Sequence, residues 1–410
     1  MVPNCFQHVV GLGNFPSDWL VTSADEITEK ITKGTTPPKS EIVDDKKIPF
    51  LRVNNLGFTG SLNSNTEMLF VTEDAHKGFL SRSIAYPNDI LMNIVGPPLG
   101  KIAILDDEYP EYNMNQAVLI YRCKEQLIDK GYFLSFLGSE LAQQWLQSRS
   151  KKTSGQQNLT IQLCKELPTP VPPLPEQRKI AQILSTWDRG IATTEKLIDA
   201  SNQQKKALMQ QLLTGKKRLI DPETGRAFEG EWENTHLSNI ASIKKGKALS
   251  AKNLVAGSYP VIAGGKSSPY SHVDFTHENV ITVSASGAYA GYVSYHPYKI
   301  WASDCSVVTA KPANYLGFIF QWLQLNQIRI YSMQSGGAQP HIYPKDLEVM
   351  KLRVPKIEEQ QKIASVLTAA DKEIEVMETK LAQLNQEKKA LMQQLLTGKR
   401  RVKVDEEVAA

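Results

Sequence analysis

The chain has 410 residues, 41% of them hydrophobic and 22% charged, with a formal net charge of +4. That length allows two or three domains with real cores, nothing in the composition suggests disorder on a large scale, and so mild a positive balance neither demands nor opposes a nucleic-acid partner. No run approaches about 18 consecutive apolar residues and the N-terminus lacks a basic region followed by an apolar one, so no membrane span and no signal peptide are expected and a cytoplasmic location fits.

Taken in order, residues 1–170 are expected to form a first domain of α+β type. After Trp19 a mixed segment runs to Gly34 as a strand or short helix, and a polar loop covers 35–45. Strands are predicted over 49–53, 68–71, 90–95, 101–105 and 117–122, separated by Gly, Asn and Pro turns, and a helix over 132–148. A long helix follows over 171–216. Its apolar residues Ile180, Leu184, Trp187, Ile191, Ile198, Leu208 and Leu212 fall on alternating steps of four and three, which is a heptad seam. A second domain, 217–354, has strands near 259–262, 280–284, 289–293 and 306–309 and a helix over 316–327. Its Trp232 and Gly246 are spaced much as Trp19 and Gly34, and Gln334-Ser335-Gly336-Gly337 answers to Thr153-Ser154-Gly155-Gln156. A second long helix over 355–400 carries Ile363, Leu367, Ala370, Ile374, Met377, Leu381, Leu384, Leu391 and Leu395 on the same seam, and 401–410 is read as a polar tail.

The two long helices are one unit present twice. Lys205–Lys216, KKALMQQLLTGK, returns unchanged as Lys388–Lys399, an offset of 183 residues (388 − 205). The offset holds without a gap for Pro172 and Pro355, Glu176-Gln177 and Glu359-Gln360, Asp188 and Asp371, Ile191 and Ile374. Pro175 suits the first turn of a helix, and Gly215 and Gly398 suit exits through a left-handed residue. Because the repeat includes Gln210, Gln211 and Thr214, which core packing alone would not dictate, the chain imitates a two-fold dimer. Such symmetry suits a partner bound twice, or a near-palindromic target.

A search for catalytic and metal chemistry finds little. Val95-Gly96-Pro97-Pro98-Leu99 lacks the Asn or Asp and the aromatic that an adenine methyltransferase loop needs, and reads as a turn. Gly11-Leu12-Gly13 is followed by Pro16 and opens no helix that could bind an anion. His272 and His277 have no matching ligand set, and Cys5, Cys123, Cys164 and Cys305 show no CxxC spacing, so neither a metal site nor a disulfide framework is expected.

The segments PLPEQRKIAQIL and IEEQQKIASVL opening the long helices, LLTGK closing them, and the order variable domain, constant rod, variable domain, constant rod resemble the specificity subunit of type I restriction-modification systems. The resemblance covers essentially the whole chain. It implies an α+β fold in which two mixed α/β target recognition domains alternate with two long helices packed as an antiparallel coiled coil with pseudo-two-fold symmetry. Each variable domain would then read one half of a bipartite double-stranded DNA target. The helices would set the spacer and dock two methyltransferase subunits, with motor-nuclease subunits joining through them. The chain itself would be non-catalytic and bind no cofactor; S-adenosylmethionine, ATP and Mg²⁺ would belong to the partner subunits.

Candidate DNA contacts follow from side-chain chemistry, since lysines neutralise phosphates whereas Arg, Asn and Gln match base edges. In the first domain they are Lys33, Lys39, Arg52, Arg82, Lys101, Arg149, Lys151, Lys152, Gln156, Gln157 and Asn158. In the second they are Lys244, Lys245, Lys247, Lys252, Lys266, Lys299, Gln339 and His341. Two other readings stay open from the residues: a non-catalytic coiled-coil adaptor whose domains bind proteins, and a subunit that fuses recognition with its own methyl transfer or cleavage. Steep salt dependence of binding marks the DNA reader.

Overall fold

A computed structural model describes residues 5–404 except 64, 154–155, 266–267 and 337–338. The chain forms two compact units, one of Met1–Thr194 with Lys380–Ala410 and one of Glu195–Thr379.

In the first unit the strand Ile90–Asn93 pairs antiparallel with Ile102–Ile104 on one side and Val118–Cys123 on the other, and Val118–Cys123 pairs with Thr28–Lys33. The central strand is buried throughout because both faces are covered. Ile90 and Met92 join Tyr132, Phe133 and Phe136 in one core, while Leu91 joins Ala103, Val118 and Ile120 in another. A second sheet holds Asn113–Met114, Pro49–Leu51, Leu69–Val71 and Ile42–Val43, its first pair parallel. The helix expected over 132–148 is two helices, Lys130–Leu137 and Glu140–Ser148. It breaks at Gly138-Ser139 because the Ser139 hydroxyl accepts from the Ala142 N–H and starts a new helix as its cap.

The second unit repeats the plan. Its four-stranded sheet runs Ala241–Lys245, Cys305–Ala310, Val280–Ser284, Val293–His296, all antiparallel. Tyr259–Ile262 pairs parallel with Trp301–Ala302. The strand expected over 289–293 begins only at Val293, because the chain turns first through Gly287 and Gly291 at φ +80° and +87°.

The long helices are Leu174–Leu212 and Ile357–Leu395, 39 residues each, or about 58 Å at 1.5 Å per residue. The first starts at Leu174 rather than 171 because Pro168–Val171 is a strand paired with Leu20–Ser23. The same pairing joins Lys351–Val354 to Glu233–His236. Within the first unit, Asp188 pairs with Lys388 and Glu176 with Arg401; within the second, Asp371 pairs with Lys205 and Glu359 with Arg218. In each unit rising numbers on one helix meet falling numbers on the other, so the segments run antiparallel. Adding 183 to one member of a pair gives a member of the pair in the other unit. The seam follows suit. Ile180, Leu184, Ile191, Ile198, Leu212, Ile363, Leu367, Ile374 and Leu395 are buried, and Trp187, Leu208, Ala370, Met377, Leu381, Leu384 and Leu391 are half-buried. Both helices leave through glycines at positive φ, +72° at Gly215 and +66° at Gly398. Arg401 and Val402, read as part of a polar tail, pack into the first unit: Arg401 grips Glu176 and Asp18, and Val402 lies against the core.

Candidate nucleic-acid interface

Ten of the eleven sequence candidates of the first unit fall into three places. The hairpin of Lys151–Thr153 and Gln156–Asn158 carries Lys151, Lys152, Gln156, Gln157 and Asn158, and its second strand pairs with Val95–Gly96. Ser154 and Gly155 lie outside the described residues. Buried Asn93 shapes the loop that meets this hairpin: its amide donates to the carbonyls of Val95 at 3.1 Å and Pro98 at 2.8 Å, and its Oδ1 accepts from the Lys101 N–H at 2.8 Å. A second group gathers around Thr35, whose hydroxyl accepts from Arg82 at 3.2 and 3.0 Å, with Lys33 exposed two residues before it and Lys39 exposed just beyond. The third lies near Val53. Its carbonyl accepts from Lys101 Nζ at 3.4 Å, that ammonium sits 5.8 Å from the Phe58 ring, and Arg52 donates to the Glu67 carbonyl at 3.2 Å. Arg149 has a structural occupation: its guanidinium lies 4.4 Å over Trp145 and donates to the Trp145 carbonyl, capping the C-terminus of its own helix.

In the second unit Lys244 and Lys245 end the strand Ala241–Lys245, Lys247 follows 5.2 Å from the Trp301 ring, Lys299 stands 4.6 Å from Phe275, and Lys252 is exposed in a short helical turn. Lys266 lies outside the described residues. His341 pairs with both Ser335 and Ser286 by isolated bridges, and Gln339 is exposed before it. This corrects the alignment of the two hairpins. Matching Gln334-Ser335-Gly336-Gly337 to Thr153-Ser154-Gly155-Gln156 puts them at an offset of 181 (334 − 153). The pairing instead sets His341, between Ser335 and Ser286, where Asn158 stands between Lys151 and Val95. That offset is 183 (341 − 158), the offset of the helices, and the second hairpin is one residue shorter.

Sequence reasoning missed Tyr343, which organises this corner. Its ring stacks on His341 at 6.1 Å and 17°, with Lys245 Nζ at 5.8 Å and Lys345 Nζ at 5.6 Å from its centroid. Two ammonium groups share one electron-rich face system, which keeps positive charge beside the hairpin. The 183 offset matches Tyr343 to Thr160, so the repeat marks the position, and both residues precede a short helix, but no sequence pattern marks the aromatic role.

Cys123, Cys164, Cys305, His277 and His296 lie in surroundings that favour their uncharged forms. Burial pushes the thiols of Cys123, Cys164 and Cys305 up to about 12 and lowers His277 and His296, the latter to about 4. His272 is buried edge-on to Trp301 with Nδ1 3.0 Å from the Val255 carbonyl. Among the described residues no group of three or more His, Cys, Asp or Glu is placed to hold a metal ion, and no helix is long and apolar enough to cross a membrane.

These features define a duplicated α+β protein in which a constant helical scaffold presents, in each unit, a loop and hairpin of different composition. The family model of the type I restriction modification DNA specificity domain matches residues 16–202 and 229–386, and the chain belongs to that family. Among its relatives, the chain named as specificity subunit of the type I restriction enzyme MjaX of Methanocaldococcus jannaschii is 28% identical, with 96% of each chain covered. The MjaVIII specificity subunit of the same organism is 26% identical over 78% of this chain and 81% of that one. In fold the chain is similar to the crystal structure of the S subunit of a type I restriction-modification system from M. genitalium. The TM-score is 0.64 at 19% identity, covering 96% of this chain and 99% of that one.

Proposed function

We propose that this specificity subunit recognises a bipartite double-stranded DNA sequence, each unit reading one half-site through its loop and hairpin. The observation that carries the reading is the equivalence of the two corners: one scaffold, in one register, holds Val95 and Asn158 in the first unit and Ser286 and His341 in the second. A constant frame with exchanged polar tips is what two different short base sequences require. In this reading lysines such as Lys151, Lys244 and Lys245 neutralise phosphates, and Gln157, Asn158, Gln339 and His341 face base edges. The paired long helices set the unread spacer and dock two methyltransferase subunits, through which motor-nuclease subunits join. S-adenosylmethionine, ATP and Mg²⁺ are then handled by those partners in the cytoplasm, and this chain contributes no catalytic group.

Co-expression with the methyltransferase subunit of its own system, followed by genome-wide mapping of adenine methylation, tests the reading. The expected result is a split motif with an unread spacer and two different halves. Co-purification with no new methylation, or an undivided motif, overturns it.

A further inference from the structure

Three residues meet at the second unit's corner, and one of them is out of place on a surface meant for a polyanion. Ser286 is bridged to His341, the Ser286 hydroxyl donates to Asp304 Oδ2, and the Asp304 carbonyl accepts from the Ala285 N–H at 3.1 Å. Asp304 is exposed and Ser286 and His341 are part-exposed. The floor beside them is bare backbone: a Cβ on Gly264 would lie 2.8 Å from the Ser286 carbonyl and 3.6 Å from Asp304 Oδ2.

Resting on the reading that each unit recognises one half-site, we propose that Asp304, oriented by Ser286 and flanked by His341, selects the exocyclic amine of an adenine or a cytosine in the half-site read by Glu195–Thr379. An ionised carboxylate only accepts hydrogen bonds, and phosphates repel it, so its direct partner on DNA has to be a donor on a base edge. The N6 amine of adenine and the N4 amine of cytosine are the donors that base edges offer in the major groove. Ser286 occupies Oδ2 and fixes the carboxylate, leaving Oδ1 for the base. Lys245 and Lys345, held around Tyr343, supply the positive charge that lets a carboxylate approach the backbone.

The first unit provides an internal contrast. Val118 pairs with Asn93 as Cys305 pairs with Ser284, and the Ile94 N–H donates to the Ala117 carbonyl as the Ala285 N–H does to Asp304. Ala117 and Val95 therefore stand where Asp304 and Ser286 do. At those two places the first unit has Ala117 and Val95, whose side chains cannot accept from a base amine. The carboxylate is a property of one half-site.

The test uses the full chain co-expressed with its methyltransferase subunit and reads methylated sites by sequencing. For D304A, one position in one half-site should relax, with non-cognate bases methylated at least about fivefold more than by the parent. The other half-site and the spacer should stay as they were, which also reports that the protein is folded. The base lost at that position tells adenine from cytosine. S286A should relax the same position to a smaller degree, and it decides the matter should D304A abolish methylation altogether. An unchanged motif in D304A, or in S286A when D304A is inactive, overturns the assignment while leaving the bipartite reading intact. An undivided motif in the parent protein removes both.

Discussion

Glu359 is a carboxylate nearly sealed from water, its side chain 2% exposed, held by Arg218 Nε and Nη2 at 2.6 and 2.7 Å and by Trp232 Nε1 at 3.2 Å. Glu176 has the same three-sided grip from Arg401 and Trp19. A buried charge stripped of its partner costs far more than the pair contributes, so R218A should lower stability by about 3 kcal/mol. R218K should recover only part of that, because an ammonium cannot form the two-pronged contact. Denaturant unfolding of the purified protein measures both, and an R218A midpoint equal to the parent's would show that the carboxylate finds another partner. His296 gives a pH dependence. Burial between Val280–Ser284 and Tyr298 lowers it to about 4, with Nε2 2.9 Å from the Thr282 hydroxyl. Its folded-state pKa is thus below the unfolded value near 6.5, so above that pH both states are neutral and nothing is lost. As pH falls from 6.5 toward 4 the unfolded chain takes up a proton that the folded one refuses. Stability of the second unit should drop by on the order of 2 kcal/mol between pH 7 and pH 5 through this group. H296Q should flatten that slope in denaturant titrations at the two pH values.

At the scale of elements, what was legible in the sequence was whatever carries a period, a repeat, or an apolar run set off by turn residues, as in Tyr259–Ile262 and Val280–Ser284. The heptad seam gave both long helices, with ends two to five residues outside the observed Leu174–Leu212 and Ile357–Leu395. The shared spacing of Trp19 with Gly34 and of Trp232 with Gly246 marked a real equivalence. A Cβ on Gly34 would lie 2.1 and 2.3 Å from the carbonyl oxygens of Met114 and Asn115, and one on Gly246 2.6 and 2.4 Å from those of Ala302 and Ser303. Backbone cannot yield cheaply there, so G246A should cost about 3 kcal/mol, read as lost resistance of the second unit to proteolysis. Elements with none of these stayed hidden. Pro168-Thr169-Pro170-Val171 is a strand despite two prolines because it stands in a two-stranded ladder, and Glu233–His236 is a strand with no apolar alternation because it is largely exposed. Residues 289–293 have the composition of a strand, but Gly291 within them and Gly287 just before them are left-handed and turn the chain. The corners stayed hidden for a different reason: bridges such as Ser286 to His341 join residues 55 apart (341 − 286) that no local pattern links. The rods also carry a prediction. Inserting one heptad at matched places in both long helices keeps the seam in phase, so methylated sites should keep both half-sites and change only the spacer. Altered half-sites with the original spacer would show that the helices do not set it.

The whole molecule is not two beads in sequence order. Glu195–Thr379 is continuous, and its core, from Met209 and Leu212 through Trp232 and Phe318 to Ile363 and Leu367, is drawn entirely from within it. The other unit is closed by a segment that arrives some 190 residues after the rest (380 − 194 = 186). Leu395 and Leu396 from that segment are 2% exposed in the core with Ile180 and Leu184, and Arg401 from it neutralises Glu176. Burying each leucine is worth roughly 2 kcal/mol, and leaving Glu176 uncompensated costs about 3 kcal/mol, so the missing segment accounts for a sum comparable with the whole stability of a domain. A fragment of residues 195–379 should therefore unfold in one cooperative transition on its own. A fragment of residues 1–194 should lack a sharp transition and bind a dye for exposed apolar surface, and adding a peptide of residues 380–404 should restore the transition. A sharp, peptide-independent transition of the 1–194 fragment would mean that its core closes without the second helix. The Glu176 grip would then be a fastening added to a finished domain, whereas rescue by the peptide makes it part of the domain itself.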